Sequence, residues 1–204
     1  MPLYLPLDMR LDTLAHTYLC IQHCYVKNLF RALCKNALWK MRKPNGCGAS
    51  MSSEDLQKYL EKMGVSARFF NFEEHTMTVD AAANRLGVSR EKIIKSIVFI
   101  DDAGLPILGI VTGDKRVSEK KLAASCEGKK VRRVNSAQVK EFTGYDVGAV
   151  PPVGHKMQIR AFIDEKVMTF DKVIGGGGEI NKLLEISPAE IKRLTMGEVK
   201  DISE

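Results

Sequence analysis

The chain has 204 residues, of which 45% are hydrophobic and 27% charged, a balance typical of a globular domain with a real core. The formal net charge of +6 is uneven, because residues 1–50 hold seven Lys/Arg and two Asp/Glu, which leaves residues 51–204 at about +1. This excludes a protein that coats a polyanion over its whole surface. The chain has no apolar run of bilayer length and no signal-peptide pattern, so we expect a cytoplasmic protein without a membrane partner.

Residues 1–50 form a basic, cysteine-rich extension of uncertain status. Apolar residues recur in it at near-helical spacing with basic residues between them, which is typical of an amphipathic helix for a membrane surface or an acceptor stem. It could also be a helix appended to the main fold or, as we favour, an upstream segment that is not part of the natural product. Met51 is followed by Ser52, Glu54 and Asp55, a capped helix start, so we place the domain boundary near residue 51.

Four of the five cysteines also lie before residue 51. A disulfide framework is not expected without an export signal. The set His16, Cys20, His23 and Cys24 suggests zinc, but its spacing matches none of the common closed sites. No metal is therefore predicted.

From residue 51 onward, short helices alternate with short strands. Helices are predicted up to Gly64, over Val79–Leu86 after a Thr78 cap, after caps at Ser118 and Ser136, and from Pro188 to Leu194. Strands are predicted at Ala67–Phe72, Lys95–Ile100, Leu105–Val111, Lys130–Val134, Gln158–Ile163, Thr169–Ile174, Ile180–Ile186 and Glu198–Ile202. Both hairpins and helical crossovers connect them. The pattern predicts an α+β fold in which short helices surround one mixed, curled sheet.

The loop Gly144–His155 stands apart from these elements. Pro151 and Pro152 fix the backbone and remove two donors, while three glycines permit positive φ or close approach to another molecule. Such a loop is shaped before anything binds. It is either a plain connection or a binding loop.

Four segments together resemble the YbaK/ProX family. They are His75–Ala82 (HTMTVDAA), Ile93–Phe99 (IIKSIVF), Thr143–His155 (TGYDVGAVPPVGH), and the glycine run Gly175–Gly178 leading into LLEISP. That family comprises free-standing aminoacyl-tRNA deacylases similar to the editing domain inserted in bacterial prolyl-tRNA synthetases. The resemblance covers residues 51–204 in the right order and leaves residues 1–50 unaccounted for.

The resemblance implies hydrolysis of the ester that joins a wrong amino acid, alanine or cysteine, to the terminal ribose of proline tRNA. Lys95 matches the family's functional lysine, which is thought to hold the phosphate or ribose of the terminal adenosine. Gly148 and Pro152 match the glycine-three-residues-proline signature. Backbone N–H groups near Gly148 could donate to the oxyanion, with water as the nucleophile and help from a ribose hydroxyl. This fits the lack of an obvious Ser-His-Asp or Cys-His set.

Further residues are expected to contact the aminoacyl end of the substrate. This group, which is implied by the same resemblance, comprises Thr76, Thr78, Ala149, Pro152, His155, Gly175 and Gly176. Thr78 could also be a simple helix cap, and for His155 we expect packing or substrate contact rather than proton transfer. No cofactor is implied.

A basic cluster in an otherwise near-neutral domain predicts where RNA binds. Its proposed tRNA contacts are Lys115, Arg116, Lys129, Lys130, Arg132 and Arg133. Three functions remain open: a trans-editing deacylase of aminoacyl-tRNA, a non-catalytic module that binds tRNA or a partner such as prolyl-tRNA synthetase, and a regulatory protein that binds nucleotide through the glycine run.

Overall fold

The computed structural model describes residues 50–73 and 78–204. Five α-helices lie in this part of the chain: α1 Ser53–Lys62, α2 Val79–Leu86, α3 Glu119–Ser125, α4 Ser136–Thr143 and α5 Pro188–Thr195. Eight strands lie between them: β1 Arg68–Asn71, β2 Ile94–Asp101, β3 Pro106–Thr112, β4 Val131–Arg133, β5 Arg160–Asp164, β6 Val173–Gly176, β7 Lys182–Ile186 and β8 Glu198–Lys200. Two 3-10 helices, Arg90–Lys92 and Glu165–Thr169, complete the set.

The strands form two sheets. The larger has the order β4-β2-β3-β5-β8 and is mixed, because β2 pairs antiparallel with β3 and β4 whereas β5 pairs parallel with β3 and β8. The smaller sheet, β1-β7-β6, is antiparallel throughout. The predicted α+β class is confirmed, but the single sheet expected from the sequence is two.

The core follows the alternation of side chains along β2. Val98 and Ile100 belong to the larger apolar cluster, which also contains residues of the smaller sheet such as Leu184. Phe99 points to the other face of β2 and packs with Phe162. Burial on both faces explains why β2 reads as a continuous apolar run with Lys95 and Ser96 near its start.

Two of the predicted local features need correction. The strand predicted at Thr169–Ile174 begins only at Val173 and extends to Gly176 in the glycine run. Thr169 instead ends a 3-10 helix, which begins where the Asp164 side chain accepts from the N–H of Lys166. The cap of α4 is Asn135 rather than Ser136, because Asn135 and Gln138 form a reciprocal capping box.

Other start and stop signals are confirmed. Thr78 caps α2, which ends at Gly87 in the left-handed conformation, and Asp101–Gly104 turns β2 into β3. Ser118 holds the N-cap position of α3, although its side chain makes no capping hydrogen bond. The candidate zinc residues and the basic helix predicted within residues 1–50 lie outside the described residues.

Candidate active site

The candidate site is a cavity beside the edge of β2 that faces away from β3, where part of β2 has no paired strand. β4 pairs only with Phe99–Asp101, so the first half of β2 opens onto a cavity of about 330 Å³. Its wall is largely apolar, with valines from α4 and from the loop after it. Lys95, Gly148, Gly175, Gly176, Thr78 and Arg133 all line it. The fold therefore brings together residues that are separated by up to about one hundred positions in the chain.

Lys95 is partly buried and is held by main-chain oxygens. Its Nζ donates to the carbonyl oxygen of Gly113 at 3.1 Å and to that of Lys115. Burial lowers the pKa of Lys95, an effect that the Asp114 carboxylate opposes and the nearby Arg116 reinforces. An ammonium has three donors, and two of them are occupied here by carbonyl oxygens of the described residues.

The turn Asp146–Ala149 supplies the second polar group. The N–H of Ala149 donates to the carbonyl of Asp146 at 3.0 Å, and Gly148 has φ +91°, which is the third position of a type II turn. Within the described part of the chain, the N–H of Gly148 donates no hydrogen bond. That N–H belongs to a residue of the cavity wall and is available as a donor.

The glycine run fits tightly behind this turn. A Cβ on Gly175 would lie 3.4 Å from Cδ of Pro152, and the N–H of Gly178 donates to the carbonyl of Ala149 at 3.0 Å. Ala149 and Pro152 are themselves buried and are not part of the cavity lining. They support the wall from behind.

His155 lies apart from the cavity lining. Its Nε2–H donates to the carbonyl of Pro151 at 2.8 Å, and its ring meets the edge of Tyr145. Burial lowers the pKa of His155 to about 4, although the hydrogen bond to Pro151 opposes this. The imidazole is therefore neutral at pH 7 and holds the Pro-Pro turn in place.

Thr78 combines two roles. Its Oγ1 accepts from the N–H of Ala81 at 3.1 Å as the cap of α2, and the residue lines the cavity. Thr76 lies outside the described residues, so the structure does not place it.

The predicted basic cluster is divided. Arg133 lines both the cavity and a neighbouring open depression that also contains Arg116. Lys115 ends the turn Thr112–Lys115, whose carbonyls hold Lys95. Lys129 and Lys130 precede β4, and Arg132 is its middle residue, paired with Ile100. Val131, at the start of β4, pairs with Asp101. Asp101 is six residues along β2 from Lys95, so the start of β4 lies roughly 20 Å from Lys95.

The sequence did not single out Val147, which also lines the cavity and is 52% exposed. Its place in the conspicuous loop was the available signal. Within residues 50–73 and 78–204, no three His, Cys, Asp or Glu side chains are grouped so that they could hold a metal ion, and no helix is long and apolar enough to cross a membrane.

Known proteins are similar to this chain in sequence. A family profile described as the aminoacyl-tRNA editing domain matches residues 73–194, more than half of the chain. A protein of Enterococcus faecalis, provisionally named Cys-tRNA(Pro)/Cys-tRNA(Cys) deacylase EbsC, is 26% identical over 66% of this chain and 82% of its own length. A proline–tRNA ligase of Maridesulfovibrio salexigens is 32% identical over 59% of this chain but only 19% of the ligase.

The fold has a matching solved structure. A crystal structure described provisionally as a trans-editing enzyme for prolyl tRNA synthetase is 31% identical, with a TM-score of 0.70 over 76% of this chain and 98% of that one. Together these similarities support an aminoacyl-tRNA editing activity and confirm the resemblance drawn from the sequence motifs. The chain belongs to the aminoacyl-tRNA editing domain family.

Proposed function

We propose that the protein acts in trans as a deacylase of mischarged tRNA and that its substrates are proline tRNAs charged with alanine or cysteine. The observation that supports this proposal is the shared cavity, whose wall contains both Lys95 and Gly148. The reaction is ester hydrolysis: water adds to the acyl carbon, the bond to the ribose oxygen breaks, and that oxygen takes a proton.

Each polar group has a task in this reaction. The carbonyl oxygen becomes negative when water adds, and the unengaged N–H of Gly148 can donate to it. The remaining donor of Lys95 suits a phosphate or ribose oxygen of the terminal adenosine. Since neither group is a nucleophile, the water is activated by a hydroxyl of the substrate's own ribose.

The cavity's size favours a small acyl group. The volume of about 330 Å³ must hold the terminal ribose as well as the amino acid. The glycines of the wall are packed closely against neighbouring atoms, so the wall cannot move back to admit a larger acyl group. A synthetase pocket cannot reject a slightly smaller amino acid well, because a single methylene is worth only about 1–3 kcal/mol in a binding pocket. An editing site that admits the smaller amino acid and excludes the correct one by size supplies the missing discrimination.

The RNA is expected to leave the cavity past Arg133. This residue belongs to both the cavity and the depression that holds Arg116 and Lys120, which gives the acceptor strand a continuous basic path. Replacing Arg116 and Arg133 together should weaken tRNA binding and reduce its salt dependence. Replacing Lys129 and Lys130 should change either quantity less, and the opposite ranking would place the RNA at the other end of β4.

The deciding experiment uses a panel of proline tRNAs charged with alanine, cysteine or proline, and follows the loss of the amino acid. We expect release of alanine or cysteine but not proline, and a loss of at least about a hundredfold in Lys95→Ala, because a substrate that is no longer anchored is misplaced at the reacting bond. Lys172→Ala is the matched control, because Lys172 pairs with Glu185 outside the cavity. Binding of charged tRNA without release of the amino acid would instead indicate the non-catalytic module.

A further inference from the structure

The turn that holds Lys95 is fixed from one side by close packing. The N–H of Gly113 donates to the carbonyl of Ile93 at 2.6 Å. A Cβ on Gly113 would lie 2.5 Å from the carbonyl oxygen of Arg90, so only glycine permits this approach. The Gly113 end of the turn is therefore pressed against the first 3-10 helix.

On another side, the turn is held by a lysine from a distant element. Nζ of Lys166, on the second 3-10 helix, lies 2.9 Å from Oδ2 of Asp114 and 2.6 Å from Oε1 of Glu91. Asp114 is the residue between Gly113 and Lys115, whose carbonyls accept from Lys95. One ammonium thus ties the first 3-10 helix to the centre of the turn.

Charge gives this contact a second consequence. The Asp114 carboxylate is close enough to Lys95 to raise its pKa against the effect of burial, so it is also a competing partner for the Lys95 ammonium. The hydrogen bonds that Lys166 donates to Glu91 and Asp114 raise its pKa, which keeps it charged. While Asp114 is paired with Lys166, the ammonium of Lys166 partly neutralises its charge and weakens its attraction for Lys95.

We propose that Lys166 is a positioning residue for Lys95: by pairing with Asp114 and Glu91 it fixes the turn whose carbonyls orient the Lys95 ammonium towards the cavity, and it keeps Asp114 from capturing that ammonium. Lys166 itself is not part of the cavity wall. Exposed ion pairs contribute little to stability, so the expected effect concerns ligand binding. The inference rests on the proposed function, since it assumes that Lys95 contacts the substrate.

The test measures the affinity of the full chain for an acceptor-stem RNA whose 3′ end carries alanine through a non-hydrolysable amide. Lys166→Met should weaken binding by roughly five- to tenfold, in the range of coupling between contacting residues. Lys166→Arg, which can still reach both carboxylates, should restore most of it. Lys172→Met removes a surface ion pair elsewhere and should leave affinity unchanged.

A double-variant cycle separates positioning from a general structural role. In a Lys95→Met background, Lys166→Met should cause no further loss, because the group that it positions is gone. An equal loss in both backgrounds, or none in the wild-type background, would overturn the inference while leaving the proposed function intact. If the wild-type protein did not bind the analogue, or Lys95→Met bound it equally well, the proposed role of Lys95 would fail and this inference with it.

Discussion

Gly176 and Val150 approach each other so closely that a Cβ on Gly176 would lie 2.5 Å from the carbonyl oxygen of Val150. The same Cβ would lie 2.8 Å from the carbonyl oxygen of Ala149. Both obstructing atoms belong to the backbone, so a side chain could be accommodated only if the segment after Gly148 moved. The glycine run therefore lines the cavity and also determines where the turn with the free N–H lies.

We expect Gly176→Ala to reduce deacylation at least about tenfold, because displacing preorganised donors by a fraction of an ångström weakens them strongly. The free energy of unfolding should fall by about 1–3 kcal/mol from overpacking. Single-turnover deacylation and urea unfolding measure the two effects.

Gly104→Ala is the control for this variant. Gly104 has φ +79° and nothing within 4 Å of an added Cβ, and it lies in the β2–β3 hairpin, away from the cavity lining. It should lose about 1–2 kcal/mol of stability from backbone strain and retain activity. If Gly176→Ala behaved in the same way, the glycine run would have no part in positioning the turn.

Local signals in the sequence predicted the element ends well. Thr78 and Gly87 limit α2 because a hydroxyl cap and a left-handed glycine act on their immediate neighbours. The strand predicted at Thr169–Ile174 begins four residues later, at Val173. At Thr169 a local signal of the same kind acts against the strand, because the carboxylate of Asp164 begins a 3-10 helix that extends to this residue.

Long-range relationships could not be predicted in this way. The division into two sheets depends on Phe69 pairing with Leu184, and the contact of Lys166 with Asp114 joins residues 52 positions apart. No period or spacing in the chain encodes either contact. The cavity residues could be selected only because motifs resembled those of a family, and the close approach at Gly176 became visible only with β6 in place.

Asn135→Ala should lower the free energy of unfolding by about 0.5–2 kcal/mol, the usual cost of removing an N-cap. Oδ1 of Asn135 accepts from the N–H of Gln138 at 2.9 Å, and the Gln138 side chain accepts from the N–H of Asn135. Ser136→Ala, one residue inside α4, should stay within about 0.5 kcal/mol. Chemical unfolding compares the two, and a larger loss in Ser136→Ala would mean that the serine is the cap.

His155 should make folding stability depend on pH below neutrality. Its pKa is about 4 in the folded protein and about 6.5 in the unfolded chain. Between these values the unfolded chain binds a proton that the folded protein does not, so stability falls as pH decreases from about 6.5 to about 4. His155→Phe lacks this group. As pH decreases through that window, the free energy of unfolding of the wild-type protein should therefore fall relative to that of His155→Phe. A constant difference between the two would contradict the lowered pKa of His155.

Lys95 should give ligand binding a limit on the alkaline side. In its proposed role Lys95 binds the RNA end only as the protonated ammonium. Burial lowers its pKa, so affinity for the amide-linked analogue should fall at a lower pH than for an exposed lysine, whose pKa is about 10.4. Lys95→Arg stays charged and should show no such fall, whereas Lys95→Met should bind weakly at every pH. Affinity is titrated between about pH 7 and 10.5, and the amide linkage of the analogue avoids the spontaneous hydrolysis that an ester undergoes in alkali. Parallel curves for the wild-type protein and Lys95→Met would show that the Lys95 ammonium is not the group that binds.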